Sequence, residues 1–419
     1  MTVVFSVAAI ALASVCLGTI GYLLTLLLAG LGSRPQGVRS PISPTRFTIL
    51  VPAHDEAAVI GAMLKSVAAL DYPAERRAVV VVADNCTDDT ADIARASGAQ
   101  VIERANDRER GKGHALAFGV ETLMAHPDPT DAFVIIDADT WVAPDFLTVM
   151  ATELARRTDP QGHAALQGRY GVLNADEGWR AALMAGAFDL VNHVKPLGRD
   201  ALGLSVGLKG NGMVFTRALL REAPFSGSSI TEDIDYGLDL LLRTGVTVGY
   251  VPGAVVRAQM PVSAGQAKSQ RARWETGRYQ LMRERVPTLL RAALRRQDPR
   301  LADATVDLLL PPLAELAALV ALWGGVLAMG RLTGQLSGDI RVWGALYGVT
   351  IAGFLAYILG GFKVSGAPRA AYAALFKAPA YAFWKLALLA AKPFDRRAKT
   401  GEWVRTDRVA MSGDEPKAP

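Results

Sequence analysis

Long stretches without charge flank a central region in which short apolar runs alternate with polar ones. The first stretch extends from Thr2 to Gly32 without Asp, Glu, Lys or Arg, and it exceeds the roughly 20 apolar residues that a helix needs to cross a bilayer. It therefore predicts a transmembrane helix within residues 1–33. A cleaved signal peptide is the alternative, but no basic segment precedes the stretch, which is also longer than the apolar core of a signal peptide.

Basic residues beside this helix predict its orientation. Arg34 and Arg39 follow it, whereas no Lys or Arg precedes it. Because positive charges stay on the cytoplasmic side, we expect the amino terminus outside and the following domain in the cytoplasm. The expected location is the inner (plasma) membrane, with several spans.

The carboxyl-terminal region predicts more membrane-associated helices. Two apolar stretches, Val306–Met329 and Val342–Gly360, predict a transmembrane hairpin within residues 301–362. In the apolar segment 370–391 and just beyond it, Lys377, Lys385 and Lys392 form a narrow basic stripe on a helical wheel. This pattern favours an interfacial helix over a fourth span within residues 363–393. A polar cytoplasmic tail follows at residues 394–419.

The central region, residues 45–260, has the pattern of an α/β domain. Near-continuous apolar runs, FTILVPA (47–53), VVVVA (79–83) and FVIID (133–137), are typical of parallel strands buried on both faces. Helical stretches separate them, so we expect a mostly parallel sheet covered by helices. Ligands gather at the carboxyl ends of such strands. Four acidic residues lie there and should border one crevice: Asp55, Asp84, Asp137 and Asp139.

Composition agrees with a protein that is part globular domain and part membrane anchor. Of the 419 residues, 51% are hydrophobic and 20% are charged. The net charge of +5 is modest and much of the basic excess lies beside the apolar segments, which suits anionic headgroups rather than nucleic acid. The two cysteines, Cys16 and Cys86, imply neither a disulfide framework nor a cysteine zinc site.

Motifs of several common enzyme classes are missing from the sequence. The turn after the first predicted strand reads HDEAAV, and GKG at 111–113 follows no evident strand, so the chain lacks the glycine fingerprint of a dinucleotide-binding fold. The sequence also contains neither a Walker motif nor a nucleophile elbow. These absences argue against a dinucleotide-dependent dehydrogenase and against a P-loop kinase.

Two acidic motifs supply candidate chemistry. In DADT (137–140), the carboxylates at i and i+2 would point to the same side of an extended chain and could bind a hard cation such as Mg²⁺ or Mn²⁺. TEDIDYG (231–237) predicts a helix start with Thr231 as the cap, and capping alone would account for Glu232 and Asp233. The glycine-rich GLKGNGMVF (207–215), with Gly210 and Asn211, either forms the floor of an acceptor site or is an ordinary turn.

Four motifs occur in a characteristic order: VVADNC (81–86), DADT (137–140), TEDIDYG (231–237) and QRARW (270–274). The set resembles that of membrane-bound family 2 glycosyltransferases, which include cellulose, hyaluronan, chitin and poly-N-acetylglucosamine synthases and ceramide glucosyltransferases. The resemblance covers residues 47–285. It implies a GT-A-type nucleotide-sugar-binding domain at 45–260, with interfacial helices carrying QRARW at 261–300.

The resemblance also implies residue roles. Asp55, Glu56 and Asp84 would hold the nucleoside, although the family usually has Asn at position 55. Lys112 would reach the nucleotide, Asp139 would ligate the metal, and Asp137 would face the ribose or the metal. Asp233 would be the general base with Glu232 in support. Gln270, Arg273 and Trp274 match the pattern Q-x-x-R-W, in which Arg273 would stabilise the departing diphosphate and Trp274 would stack on the acceptor sugar.

The expected function is inverting transfer of a hexose or N-acetylhexosamine from a UDP-sugar, with Mg²⁺ or Mn²⁺, to a growing polysaccharide. Polysaccharide-export subunits and membrane lipids would be partners, and nucleic acid would not. One alternative keeps the chemistry but has a membrane lipid as the acceptor. The small number of predicted spans favours this alternative, since three helices make a thin wall for a polymer channel. The second alternative is a non-catalytic membrane scaffold that binds a nucleotide-sugar.

Overall fold

The computed structural model describes residues 2–32, 45–125, 129–225, 231–260 and 264–377. Side chains at 264–276 lie outside this description. Eight strands form one sheet. They are β1 Phe47–Ala53, β2 Arg77–Asp84, β3 Gln100–Arg104, β4 Ala132–Ile135, β5 Thr140–Val142, β6 Ala165–Val172, β7 Met213–Thr216 and β8 Val248–Ala258.

The strand order β3-β2-β1-β4-β7-β6-β8-β5 divides the sheet into two parts. Strands β3, β2, β1 and β4 are neighbours and all pair in parallel. Beyond β4, the pairs β4–β7, β7–β6 and β8–β5 are antiparallel, while β6 and β8 are parallel. Because the four parallel strands end on the same edge, the residues that follow β1, β2 and β4 meet there.

Apolar residues on both faces hold this sheet between two layers of helices. Ile49 and Val51 pack in one core cluster, and Leu50 between them packs in the opposite one. All seven residues of β1 are buried, as expected when successive side chains point to opposite covered faces. The sequence-based assignments of β1 and β2 are confirmed. The third predicted strand, FVIID (133–137), corresponds to β4, which ends at Ile135, two residues before the predicted end at Asp137.

One group of helices belongs to the α/β domain, and a second group flanks it. The first group is α2 Ile60–Ala68, α3 Thr90–Ala96, α4 Lys112–Ala125, α5 Phe146–Arg157, α6 Trp179–Asp189, α7 Lys195–Ala201, α8 Arg217–Glu222 and α9 Glu232–Arg243. A π-helical turn, Leu190–Val194, joins α6 to α7. The flanking helices are α1 Thr2–Leu31, α10 Ala264–Arg296, α11 Pro299–Leu309, α12 Leu313–Leu332, α13 Ile340–Ser365 and α14 Arg369–Leu375.

Three helices in the described part of the chain are long and apolar enough to cross a membrane: Val3–Leu31, Leu313–Leu332 and Ile340–Ser365. They pack together through buried side chains that include Cys16, Trp323 and Tyr357. The second predicted span was placed too early, because it began at Val306 within α11. Pro311 and Pro312 separate α11 from α12, since proline lacks the N–H that a continuous helix requires and excludes helical geometry from the preceding residue.

One predicted segment differs from the structure, and another lies mostly outside the described residues. The region 261–300 was expected to hold several interfacial helices, and instead α10 is one continuous helix from Ala264 to Arg296. Of the predicted helix at 370–391, only α14 and Phe376–Lys377 are described. The rest of that segment and the tail lie outside the described residues. The fold class, an α/β domain with a mostly parallel sheet flanked by apolar helices, is confirmed.

A close helix contact joins the domain to the first apolar helix. A Cβ at Gly198 in α7 would overlap the backbone of Leu26 in α1. We therefore expect Gly198→Ala to force the two helices apart and cost about 1–3 kcal/mol or more, lowering the apparent Tm in detergent by several degrees. Gly348→Ala in α13 is the matched control, because nothing lies within 4 Å of its Cβ position and alanine favours helix. Equal Tm values for both variants would contradict this contact.

Candidate active site

The candidate site lies at the carboxyl edge of the four parallel strands. Asp84 is the last residue of β2, Asp55 lies two residues beyond β1, and Asp137 lies two residues beyond β4. Since β1 pairs in parallel with both β2 and β4, these carboxylates follow adjacent strands at one edge. The expectation that they border one crevice agrees with this topology.

Asp84 is held by an arginine that the sequence analysis did not single out. Arg104 Nη1 donates to Asp84 Oδ1 at 2.7 Å, and both side chains are almost fully buried. Arg104 also donates to the carbonyl of Glu109 at 2.8 Å and lies over the Phe118 ring. No local sequence pattern marks this pair, because it depends on the parallel register of β2 and β3, which aligns Asp84 with Arg104. This ion pair fixes the orientation of the Asp84 carboxylate.

Asp55 and Glu56 begin the loop after β1. Asp55 adopts a positive φ of 53°, which is uncommon outside glycine but tolerated by Asp. Its Oδ1 accepts a hydrogen bond from the Thr87 backbone N–H at 2.6 Å, and the Glu56 N–H donates to Thr90 Oγ1 at 2.8 Å. These contacts tie the loop after β1 to the loop after β2.

A group of three residues in these loops brings candidate ligand atoms together. One ligand atom each from Asp55, Cys86 and Asp88 lies within 4.8 Å of the others. Burial raises the pKa of the Cys86 thiol, which disfavours the thiolate that binds metals. The two carboxylates already accept hydrogen bonds from backbone N–H groups of Thr87 and Ala57. This group is explained by loop structure.

The DADT motif forms a turn instead of the extended chain assumed from the sequence. The Thr140 N–H donates to the Asp137 carbonyl at 3.2 Å, because β4 has already ended at Ile135 and β5 begins at Thr140. The i and i+2 argument for two carboxylates on one side therefore does not apply. Asp139 is buried, with 6% of its surface exposed, and the Asp137 side chain is 27% exposed.

Lys112 is the central cation of the site. It is the first residue of α4, and its Nζ donates to the Gly210 carbonyl at 2.6 Å and forms an ion pair with Asp137. Burial alone would lower the pKa of Lys112, but Asp137, Glu232 and Asp233 raise it above its ordinary value. The ammonium therefore stays charged and links the DADT turn to the glycine-rich loop.

Glu232 and Asp233 occupy the first turn of α9. Thr231 precedes them at the predicted cap position, but its side chain does not cap the helix. Burial raises the pKa of Asp233 above its ordinary value, opposed in part by Lys112 and by a hydrogen bond from the Ile234 N–H. Burial and the neighbouring Asp233 raise the pKa of Glu232 to about 7. Such a carboxylate pair is suited to exchange a proton near neutral pH.

The glycine-rich loop GLKGNG faces this carboxylate pair. Gly210 has a φ of 78°, and a Cβ there would lie 3.3 Å from Asp233 Oδ2 and 3.5 Å from Lys112 Nζ. Asn211 is fully buried. Its Nδ2 donates to Thr140 Oγ1 at 2.7 Å, and its carbonyl accepts from Gln167 Nε2 at 2.8 Å. These hydrogen bonds hold the loop beside Asp233, and its role as the floor of an acceptor site stays a prediction.

The QRARW motif lies in the first half of α10. The side chains of Gln270, Arg273 and Trp274 lie outside the described part of the structure, so their roles stay predictions. The described site accordingly comprises the Asp84–Arg104 pair, the Lys112–Asp137 pair, and the Glu232–Asp233 pair, of which Asp233 lies next to Gly210.

Comparison with known proteins identifies relatives of this chain. Residues 44–277 match the family model described as "Glycosyltransferase like family 2". The chain is 29% identical over 252 residues to the beta-monoglucosyldiacylglycerol synthase of Synechocystis, covering 58% of this chain and 50% of that protein. It is 24% identical over 239 residues to the probable glycosyltransferase YdaM of Bacillus subtilis, with 55% of each covered. The chain thus spans about half the length of these curated relatives.

A solved structure shares the fold. The mannosyltransferase PcManGT from Pyrobaculum calidifontis, in complex with GDP-Man and Mn2+, aligns with a TM-score of 0.52 at 21% identity. The alignment covers 84% of this chain and 99% of that one, so the similarity includes more than the central domain. At this level of identity it supports the fold and leaves the chemistry to the site itself.

Proposed function

Because this chain belongs to the glycosyltransferase-like family 2, we propose that it moves a hexose or N-acetylhexosamine from a UDP-sugar to a hydroxyl group of a membrane lipid, with inversion at the anomeric carbon. The observation that supports this most is the position of Asp233. Its carboxylate lies at the start of α9 beside Gly210, with Lys112 on the side of the DADT turn. The reaction requires a general base placed between the groups that bind the sugar donor and the groups that bind the acceptor.

The reaction follows from these positions. The acceptor oxygen forms a bond to the anomeric carbon while the bond from that carbon to the diphosphate breaks, and the hydroxyl proton passes to Asp233. The hydrogen bond from the Ile234 N–H orients this carboxylate. Lys112 and Arg273 balance the negative charge on the donor side, Arg273 by resemblance to the family. Asp84, oriented by Arg104, would accept a hydrogen bond from the base.

The carboxylate oxygens of Asp137 and Asp139 suit a divalent cation. Asp139 is a buried carboxylate and Asp137 is a partly exposed one, and hard cations such as Mg²⁺ or Mn²⁺ prefer carboxylate oxygens together with substrate phosphates. When bound there, the cation would neutralise the diphosphate leaving group. Asp139 is the proposed direct ligand, with Asp137 shared between the cation and Lys112.

A lipid acceptor is favoured over the polysaccharide that the sequence analysis placed first. A relative at 29% identity is named for the synthesis of a glucosyldiacylglycerol. In the described part of the chain, three helices are candidates to cross the membrane, which is few for a polymer channel. We further propose a multi-pass inner-membrane protein with a cytoplasmic domain at 45–260. The segments on either side of this domain keep the bounds expected from the sequence. The exception is the second transmembrane helix, which starts at Leu313 instead of Val306.

One experiment tests donor and acceptor together. The full-length protein in lipid nanodiscs is given radiolabelled UDP-glucose, UDP-N-acetylglucosamine or GDP-mannose, with Mg²⁺, Mn²⁺ or EDTA, and the products are separated into organic-extractable lipid and insoluble polymer. We expect one labelled lipid that depends on a UDP-sugar and on the cation. A polymer ladder would restore the polysaccharide synthase, whereas UDP binding without either product would favour the non-catalytic scaffold.

A further inference from the structure

Two hydrogen-bond donors converge on one oxygen of the Asp84 carboxylate. Arg104 Nη1 lies 2.7 Å from Asp84 Oδ1, and the side-chain amide of Asn85 donates to the same oxygen at 3.1 Å. A carboxylate oxygen has two lone pairs, so these two hydrogen bonds fill the acceptor capacity of Oδ1. Among the groups that the structure describes, none donates to Oδ2. Asp84 therefore offers a ligand one acceptor oxygen instead of two.

Arg104 is held in this position from several sides. Its Nη1 uses a second hydrogen for the Glu109 carbonyl at 2.8 Å, and Nη2 donates to the Glu109 carboxylate at 3.3 Å. The guanidinium also lies over the Phe118 ring of α4, 5.9 Å from the ring centroid. Only 7% of the Arg104 side chain is exposed. A movement away from Asp84 would leave buried donors unpaired, which is costly.

Asn85 is fixed beside Asp84 by its backbone and by its own side-chain oxygen. It adopts a φ of 51°, in the left-handed region that asparagine tolerates, and its N–H donates to the Arg104 carbonyl at 2.7 Å. The Asn85 Oδ1 accepts from the Asn106 N–H at 2.7 Å. Since the oxygen of the amide is needed for that contact, Nδ2 is the atom that faces Asp84.

Nucleobases differ in how many adjacent N–H groups they present to such a carboxylate. Uracil has a single N–H on its pairing edge, between two carbonyl groups. Guanine has a ring N–H beside an exocyclic amino group, and it can donate two parallel hydrogen bonds to a carboxylate with both oxygens available, as an arginine does. With Oδ1 filled, Asp84 can accept only one of these bonds. The second guanine N–H would be left unpaired, which lowers affinity.

We propose that Arg104 and Asn85 are positioning residues that select a uracil base over a guanine base, because they occupy Asp84 Oδ1 and leave Oδ2 for a single N–H donor. This rests on the proposed function, in which Asp84 contacts the base, and it gives the reason why the donor is a uridine nucleotide and not a guanosine nucleotide. Neither residue touches the reacting atoms. Their effect is on which nucleotide binds, whatever the acceptor of the sugar.

The test measures the Kd of UDP and of GDP by calorimetric titration of the full-length protein in nanodiscs with Mn²⁺. Wild-type protein should bind UDP about 10- to 100-fold more tightly than GDP, as expected when one donor is left unpaired. Arg104→Met frees one lone pair of Asp84 Oδ1 and should lower this ratio about 3- to 10-fold. In the transfer assay, the KM for the UDP-sugar should rise, while kcat at saturating donor stays within about three-fold of the wild type.

Further variants keep the result interpretable if the loss of a buried arginine disturbs folding. Arg104→Lys can still donate to Asp84 Oδ1 and should retain most of the preference for UDP. Asn85→Gly removes the other donor without backbone strain, since glycine accepts a positive φ, and should lower the ratio in the same direction as Arg104→Met. The control is Arg95→Met, which removes a half-exposed arginine of α3 that pairs with Asp92 and Glu103 and should leave both Kd values unchanged.

The outcomes separate base selection from the proposed function. Equal weakening of UDP and GDP binding in Arg104→Met and Asn85→Gly would show a purely structural role and overturn the proposal. Wild-type protein that binds GDP as tightly as UDP would overturn it too, together with the uridine donor of the proposed function. A preference for UDP that falls in both variants, alongside labelled polymer in place of labelled lipid, would refute the lipid acceptor and uphold the selection of uracil.

Discussion

Asp233→Asn is expected to lower kcat for glycosyl transfer about 100- to 10,000-fold while UDP binds with nearly wild-type affinity. Asparagine has almost the same shape but cannot accept a proton from the acceptor hydroxyl. The carboxylate lies 3.3 Å from the Cβ position of Gly210, whereas Asp84, the proposed nucleotide contact, pairs with Arg104 at the end of β2. Its loss should therefore spare the nucleotide site.

Single-turnover kinetics with labelled donor, together with calorimetric titration of UDP, measure the two effects separately. Asp92→Asn is the matched control, because its side chain is 80% exposed and pairs only with Arg95 among the described contacts. That variant should have wild-type kcat. Turnover of Asp233→Asn within ten-fold of wild type would remove Asp233 from the role of base.

The same base predicts a pH dependence. Asp233 must be ionised to act, so the rate should fall as pH decreases through the apparent pKa of the Glu232–Asp233 pair, which burial and mutual repulsion raise toward neutrality. Glu232→Gln removes one negative charge beside Asp233. Because a like charge raises the pKa of a carboxyl group, this variant should move the acid limb of the kcat/KM profile to lower pH.

Lys112→Met should lower kcat/KM about 100- to 1,000-fold, in the range seen when one preorganised donor is removed. It takes away the cation that faces Asp137, Glu232 and Asp233. It also leaves the Gly210 carbonyl without its 2.6 Å hydrogen bond. Loss of a neighbouring positive charge raises the pKa of a carboxyl group, so the acid limb should move to higher pH, opposite to Glu232→Gln.

A second variant distinguishes the charge of Lys112 from its hydrogen bond. Lys112→Gln can still donate to Gly210 but carries no charge, and it should show the same shift to higher pH with a smaller loss of loop stability. Calorimetric titration of UDP should reveal weaker binding for both variants, whereas Lys65→Met, which removes an exposed lysine of α2, is the control and should bind UDP like the wild type. Acid limbs that move in the same direction for Lys112→Met and Glu232→Gln would contradict the electrostatic arrangement of this site.

Several features were predictable because their signals are local. The strands β1 and β2 are runs of apolar residues long enough to be recognised without any partner, and the ends of parallel strands meet at one edge by topology. The break between α11 and α12 also has a local signal in Pro311 and Pro312, which the assignment of one span to Val306–Met329 did not use.

Other features depend on contacts between distant parts of the chain. The hydrogen bond from Lys112 to Gly210 joins residues 98 positions apart. The Arg104–Asp84 pair required the register of β2 and β3. The turn at DADT depends on where β4 ends, which its neighbours β1 and β7 decide. None of these contacts has a local pattern in the residues that form it.

By its order of residues alone, the chain determined an α/β domain between apolar helices, the strand ends that carry acidic side chains, and the motifs of its family. Those follow from hydrophobic periodicity and from short motifs, which act over a few residues. Only the tertiary structure decided which cation meets which carboxylate: Lys112 pairs with Asp137, and Arg199 and Lys195 pair with Asp303 and Asp307. The reason is physical, because charge balance in a partly buried site depends on distance in space and on the loss of water.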